Sequence, residues 1–338
     1  MRTVATVSDR PAGAQVPGIE PELPGARGTR RDGAVTVWAV VGVIALVIAG
    51  QAWIRWFASS SQFSPAPLHN ADHYAQWRWV ALRAVEVISA LVFVWLANVT
   101  IVKPLRRDRR LGIDGKIFIA CLIGSITDGV LNMFQYLFAW NAHSINLGSW
   151  SSFLPLHSAQ ANPRYAEALV WGLPMYVYFC IGVAIAGCLL VSRLRARIPT
   201  ISNVHALFYV FVGAFVFDFI VENAIIRSTQ AYAFAKTAKA LTLWSGSVYQ
   251  FPIYESLCVA ALGTIFTALR LSALDSPDGV SFVERGAERF RPSLRASVRL
   301  VAVIGFSILT LFVVYHLVFN WLGVTGTSVA HLPSYLKP

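Results

Sequence analysis

The chain has 338 residues, 56% of them hydrophobic and only 13% charged, with a net charge of +11 and a mean hydropathy of +0.57. That balance excludes a soluble domain and describes an all-α, polytopic membrane protein. The basic residues fall in short clusters between apolar runs, which marks loops beside anionic lipid and argues against a nucleic-acid partner.

Residues 1–33 are rich in Pro, Gly, Ala and Arg and read as a disordered cytoplasmic tail. The first apolar run starts only at Ala34, too late for the apolar core of a secretory signal. Seven spans are expected within 34–322, each near the ~20 residues that cross a hydrocarbon core. They are Ala34–Trp56, Trp79–Val102, Lys116–Trp140, Ala168–Val191, Val204–Ile226, Ser247–Arg270 and Leu300–Trp321. Pro174 and Pro252 are expected to kink the fourth and sixth. Residues 323–338 read as an extracytoplasmic tail. Cys121, Cys180, Cys188 and Cys258 all lie inside spans, form no C-x-x-C pair, and read as small apolar fillers.

Two connections have an unusual composition. Residues 58–77 and 141–167 contain Trp77, Trp150, Phe153, Leu154 and Leu156 together with His69, His73, His143 and His157. They read either as a lid folded onto the bundle or as interfacial residues resting on headgroups. The stretch Phe282–Val298 mixes apolar and basic residues and reads as a short surface helix that Pro292 interrupts.

Orientation follows from lysine and arginine. Arg27, Arg30 and Arg31 precede the first span, and Lys103–Lys116, Arg193–Arg197 and Arg285–Arg295 follow the second, fourth and sixth. The alternate loops are poor in both residues. The positive-inside rule places the N-terminus in the cytoplasm and the C-terminus outside.

Against this apolar background stand buried ionisable residues. In the third span Ser125, Asp128, Asn132 and Tyr136 share one helical face. The fifth carries Asp218 and Glu222 four apart, with Asn223 adjacent. The sixth carries Tyr254 and Glu255, the second Arg83 and Glu86, the seventh His316 and Asn320. At 1.5 Å per residue, Asp128 is central and the other ionisable groups lie roughly 4–11 Å toward the outer surface. The expectation is a polar chamber in the outer half of a seven-helix bundle.

Arg83 and Glu86 either neutralise each other or hold Asp218 or Glu222, and form a candidate supporting ion pair. Five carboxylates exceed the one arginine and one histidine available, so some must hold protons. A neutral acid beside an ionised one suits general-acid chemistry; the alternative is structural hydrogen bonding. Candidate catalytic residues are Asp128, Asp218, Glu222 and Glu255, and candidate substrate-binding residues are Asn132, Tyr136, Asn223, Tyr254 and His316. The loop histidines were weighed as a zinc site, but they lie in a segment with no predicted helix, and no metal is expected. Retinal is excluded because no lysine lies within the interior of a span to form a Schiff base. No phosphate loop, G-x-S-x-G or H-E-x-x-H occurs.

With seven spans, D-G-V-L-N in the third and D-F-I-V-E-N in the fifth, the chain resembles the AveC-like family of actinobacterial membrane proteins. The resemblance covers about Ala34–Trp321. It implies a cell-membrane enzyme of secondary metabolism that forms a spiroketal from a hydrophobic, dihydroxyketone polyketide, in some members with a dehydration. The implied partners are the lipid bilayer and that small molecule, and no cofactor is implied. The residues fit such chemistry: a protonated carboxyl expels water from a hemiketal, and a neighbouring carboxylate stabilises the oxocarbenium ion. A membrane terpenoid cyclase would also use buried acids, and a proton-coupled transporter would use them as a relay.

Overall fold

A computed structural model describes residues 33–68, 71–158 and 165–337; the expected N-terminal tail and His69 lie outside the described residues. Each of the seven apolar segments contains a helix: α1 Ala34–Ala58, α2 Gln76–Asp108, α3 Ile113–Gly124, α4 Gly172–Arg197, α5 Asn203–Thr229, α6 Ile253–Leu274 and α7 Pro292–Val324. All but α3 are long and apolar enough to cross a membrane by length and composition. Val40, Val47, Leu91, Val94, Phe208 and Ile220 remain exposed on the outward faces, an apolar surface suited to lipid.

α1 and α3 both pack along α7, while α4 and α5 both pack along α6. The basic clusters collect at one end of the bundle, where Arg270 pairs with Asp114, Lys116 with Glu284 and Arg195 with Asp275. The opposite end is closed by folded connections. There β1 (Phe138–Trp140) pairs antiparallel with β2 (Tyr232–Phe234), β3 (Lys236–Thr237) with β6 (Thr327–Ser328), and β4 (Thr242–Leu243) with β5 (Phe251–Pro252). Their aromatic side chains, with Trp171 and Phe319, make a second core above the helices.

The third span departs from the sequence expectation. α winding stops at Gly124 and the chain tightens into a 3-10 helix, Ser125–Asn132, before leaving the helix altogether. Ser125 and Thr127 each donate their hydroxyl to a carbonyl three residues back, a local competition that loosens regular helix. Carbonyls in the 3-10 run then accept side chains from elsewhere: Trp150 bonds Ile126 O, Ser151 bonds Gly129 O and Asn320 bonds Val130 O. At three residues per turn, Asp128 and Asn132 point about 120° apart, so the expected stripe is broken.

The prolines also act differently. Pro252 immediately precedes α6 and Pro174 lies in the first turns of α4, where a missing N–H costs little. Pro292 likewise begins α7 and does not interrupt a surface helix; the 3-10 turn Ala287–Arg289 precedes it. The irregularities inside the long helices are π turns, at Asn98–Val102 in α2, Tyr178–Gly182 in α4 and Phe312–His316 in α7.

Where α1 crosses α7, Gly42 and Gly305 bring the two backbones together. A Cβ on Gly305 would collide with the Trp38 carbonyl and the Gly42 backbone, and one on Gly42 with the Val301 carbonyl. Close approach of this kind is how helices associate without a water-driven hydrophobic force. Gly305→Leu should lower the melting temperature in detergent by the equivalent of at least ~1–3 kcal/mol. Gly50→Ala, at a position with open space around it, should leave it unchanged. Equal melting of wild type and Gly305→Leu would show that the crossing does not hold the bundle.

Candidate functional site

The 3-10 run delivers Asp128 into the interior, 4% exposed. Its Oδ2 accepts Trp140 Nε1 from β1 at 3.0 Å, and its Oδ1 accepts the Tyr176 hydroxyl from the start of α4 at 2.7 Å. The same hydroxyl lies 2.9 Å from Nε2 of His316, whose Nδ1 donates to Leu311 O at 3.0 Å. His316 closes the π turn of α7. On the far side of Asp128 lies Glu167, buried in the stretch before α4 and facing Asp128. Its Oε1 accepts Ser149 Oγ at 2.8 Å, and its backbone N–H donates to Gly148 O.

Proton counting defines this chain of groups. A carbonyl only accepts, so Nδ1 of His316 carries a hydrogen and Nε2 is either bare or protonated. Tyr176 has one hydrogen to give. Either it points to Asp128 while protonated His316 donates to its oxygen, or it points to neutral His316 while protonated Asp128 donates to it. The two arrangements differ by a proton shift, with every heavy atom in place. Burial first, and then the facing Asp128, push Glu167 well above the usual carboxylate range.

A second group faces the first. Asp218 and Glu222 come from α5 and Glu255 from the first turn of α6, with one carboxylate oxygen of each within 4.8 Å of the others. Glu255 Oε2 accepts the Tyr315 hydroxyl at 2.7 Å. A cavity of about 40 Å³ separates the groups; Asp128, Tyr176, Glu222, Glu255 and Tyr315 line it, and it has room for a few waters. A larger cavity of about 580 Å³ lies between α2, α4 and α5, lined by Val85, Val92, Val183, Phe217, Val221 and other mainly apolar residues. That volume is within the range of small-molecule sites. Phe179 and Glu222 line both spaces and so stand on the partition between them.

Among the sequence candidates, the structure thus gathers Asp128, Glu222 and Glu255 around one chamber, with Asp218 behind the last two and His316 behind Tyr176. The remainder lie elsewhere. Asn132 spends its side chain on the backbone of Leu137 and Phe138, pinning the turn after the 3-10 run. Tyr136 stacks on Tyr165 and donates to Leu336 O. Asn223 bonds back to Phe219 O, and Tyr254 packs on Phe319 in the aromatic core. Arg83 and Glu86 pair with each other and reach away from Asp218, Arg83 to His143 O and Glu86 to Ile145 N. They fasten the 141–158 connection, which is folded, with Trp150 fully buried. Among the described residues the loop histidines do not converge.

Glu167, Tyr176, Trp140 and Tyr315 were not singled out from the sequence. Glu167 carried a signal: it is the sole acid between Asn141 and Trp171, in Y-A-E-A-L just ahead of an apolar run.

These features define a multi-pass, all-α membrane protein with a carboxylate-walled interior chamber. Residues 108–334 match the family described as Spirocyclase AveC-like, and the chain belongs to that family. Membership supports a cyclase-type function in broad terms. No curated protein and no solved structure matches the chain.

Because the folded state holds the Glu167 proton more tightly than the unfolded chain, that residue's contribution to stability is complete below its ordinary 4.5. It is lost as pH rises through the raised folded value. Glu167→Gln should therefore melt close to wild type in acid and above it in alkali, as read from detergent melting curves across pH. A constant difference at every pH would show that Glu167 is not held protonated.

Proposed function

We propose that the protein is a spirocyclase-like enzyme of the cell membrane that cyclises a hydrophobic, polyketide-like dihydroxyketone with loss of water. The observation that carries this reading is the hydrogen-bonded line Asp128–Tyr176–His316, with Glu167 facing Asp128, ending on a chamber beside an apolar cavity. The cavity suits an apolar carbon chain, and Asp128 faces the chamber beside Tyr176.

One substrate hydroxyl adds to the ketone carbon, its proton passing to the carbonyl oxygen to give a hemiketal. Asp128 protonates that hydroxyl, the C–O bond breaks and water leaves. The oxocarbenium ion then faces a newly ionised carboxylate, the acid-plus-anion arrangement used on sugar acetals. The second hydroxyl attacks and its proton returns to Asp128. Glu167 and the Tyr176–His316 pair position and hold the proton between these steps, and Glu222 and Glu255 accept hydrogen bonds from substrate hydroxyls across the chamber.

Detergent-solubilised protein should convert a dihydroxyketone of this class to a product lighter by one water, without a membrane gradient. Asp128→Asn should lower kcat by at least about a hundredfold, the scale of general-acid catalysis. Tyr176→Phe should give a smaller loss with KM unchanged. Full turnover by Asp128→Asn would overturn the proposal, as would uncoupler-sensitive uptake of a chemically unchanged compound into vesicles.

In the membrane, the basic end is proposed to face the cytoplasm and the folded cap the outside, with the N-terminus inside. A phosphatase fused after residue 155 should then be active and one fused after residue 110 inactive. The reverse pattern would invert the topology.

A further inference from the structure

We infer that Asp218, Glu222 and Glu255 form a binding site for one hard divalent cation, of the Mg²⁺ or Mn²⁺ class. The two acid groups of the chamber handle their charge differently. Asp128 accepts from Trp140 and Tyr176, and Glu167 accepts from Ser149. The other three carboxylates converge without any hydrogen bond among them, one oxygen of each lying within 4.8 Å of the others. A cation about 2.4 Å from each spans oxygens that far apart, and Mg²⁺, at about 2.0–2.1 Å, spans about 4.2 Å, so the smaller ions of this class draw the carboxylates inward on binding.

The surroundings leave the charge unanswered. Among the described residues no lysine, arginine or histidine forms an ion pair with any of the three. Asp218 is fully buried, and neither of its oxygens completes a hydrogen bond of normal length and angle; the Ser256 hydroxyl, also fully buried, stands beside it as a donor. A single hydroxyl leaves a buried carboxylate under-served, and a native interior rarely leaves such oxygens without a ligand to receive them. Tyr315 occupies one oxygen of Glu255 and leaves the other free.

An all-oxygen donor set selects a hard ion over zinc or copper. A divalent ion would reduce three negative charges to one, and the N-terminal end of α6 at Glu255 favours the remaining charge. Glu222 and Glu255 line the chamber, so entry and the open coordination positions lie on that side. On the cyclase reading, a substrate oxygen would complete the shell there; cation binding itself does not depend on that reading.

The test is electron paramagnetic resonance of Mn²⁺ titrated into full-length, detergent-solubilised protein stripped with chelator. Wild type should remove the free-ion signal at one Mn²⁺ per chain, and Mg²⁺ should compete. Asp218→Asn and Glu222→Gln should each weaken binding by more than about a hundredfold, beyond the ~10–100-fold typical of an outer-shell partner. If Asp218→Asn does not fold, Glu222→Gln decides. Asp128→Asn should bind Mn²⁺ as wild type does while losing turnover, so failure of the cyclase reading and failure of the cation site give different results. A wild-type protein that leaves Mn²⁺ free, or folded variants that bind it unchanged, would overturn the inference.

Discussion

An ionised carboxylate inside a helix bundle has no bulk water to solvate it, and must find a proton, a cation or several donors within the protein. Much of this fold's irregular structure follows from that constraint. Asp128 is served by an indole from β1, a phenol from α4 and, through it, an imidazole from α7. The helical members of this set stand where regular helix is interrupted: the 3-10 run carries Asp128, a π turn follows closely after Tyr176, and another ends at His316. A bundle of seven uninterrupted helices would aim these groups along separate faces. The departures from regular geometry therefore gather where the polar groups do.

The connections at that end belong to the same arrangement. Trp150 and Ser151 reach down to carbonyls of the 3-10 run, Ser149 holds Glu167, and Arg83 with Glu86 ties the connection to α2. The chamber is roofed by folded chain, whereas the larger cavity opens among helices whose outward faces are apolar. Access between those helices bypasses the roof, with Phe179 and Glu222 standing between the larger cavity and the chamber.

The sequence reading found the large elements because each is announced by a long apolar run, and a bilayer-spanning helix leaves little else for such a run to be. It also singled out Asp128, Asp218, Glu222 and Glu255, which the fold buries, since a charge in an apolar run is conspicuous. It failed where polarity is ordinary. Glu167 lies in a polar connection and acquires its role only when the chain folds back. Tyr176 and Trp140 look like any other aromatic residue of a membrane protein. Asn132 and Tyr136 were grouped with Asp128 by assuming α-helical periodicity through Tyr136, and the 3-10 winding removes that assumption. Proline was the other source of error: Pro174 and Pro252 suggested kinks in mid-span, whereas both stand at helix beginnings.

The π turn in α7 sets a register. It holds one residue more than the same stretch of α-helix would, so everything after it is rotated by about 100° relative to an unbroken helix. Leu317–Val324 sits on the far side of that step, with Asn320 bonded to Val130 O and Phe319 filling the aromatic core. Removing one residue from Phe312–His316 would close the turn to ordinary α geometry and leave both side chains facing their partners, whereas winding the same residues as α-helix without a deletion would swing them away. In aligning members of this family, a one-residue gap here is consequently silent in register, and a smaller event than the same gap elsewhere in α7.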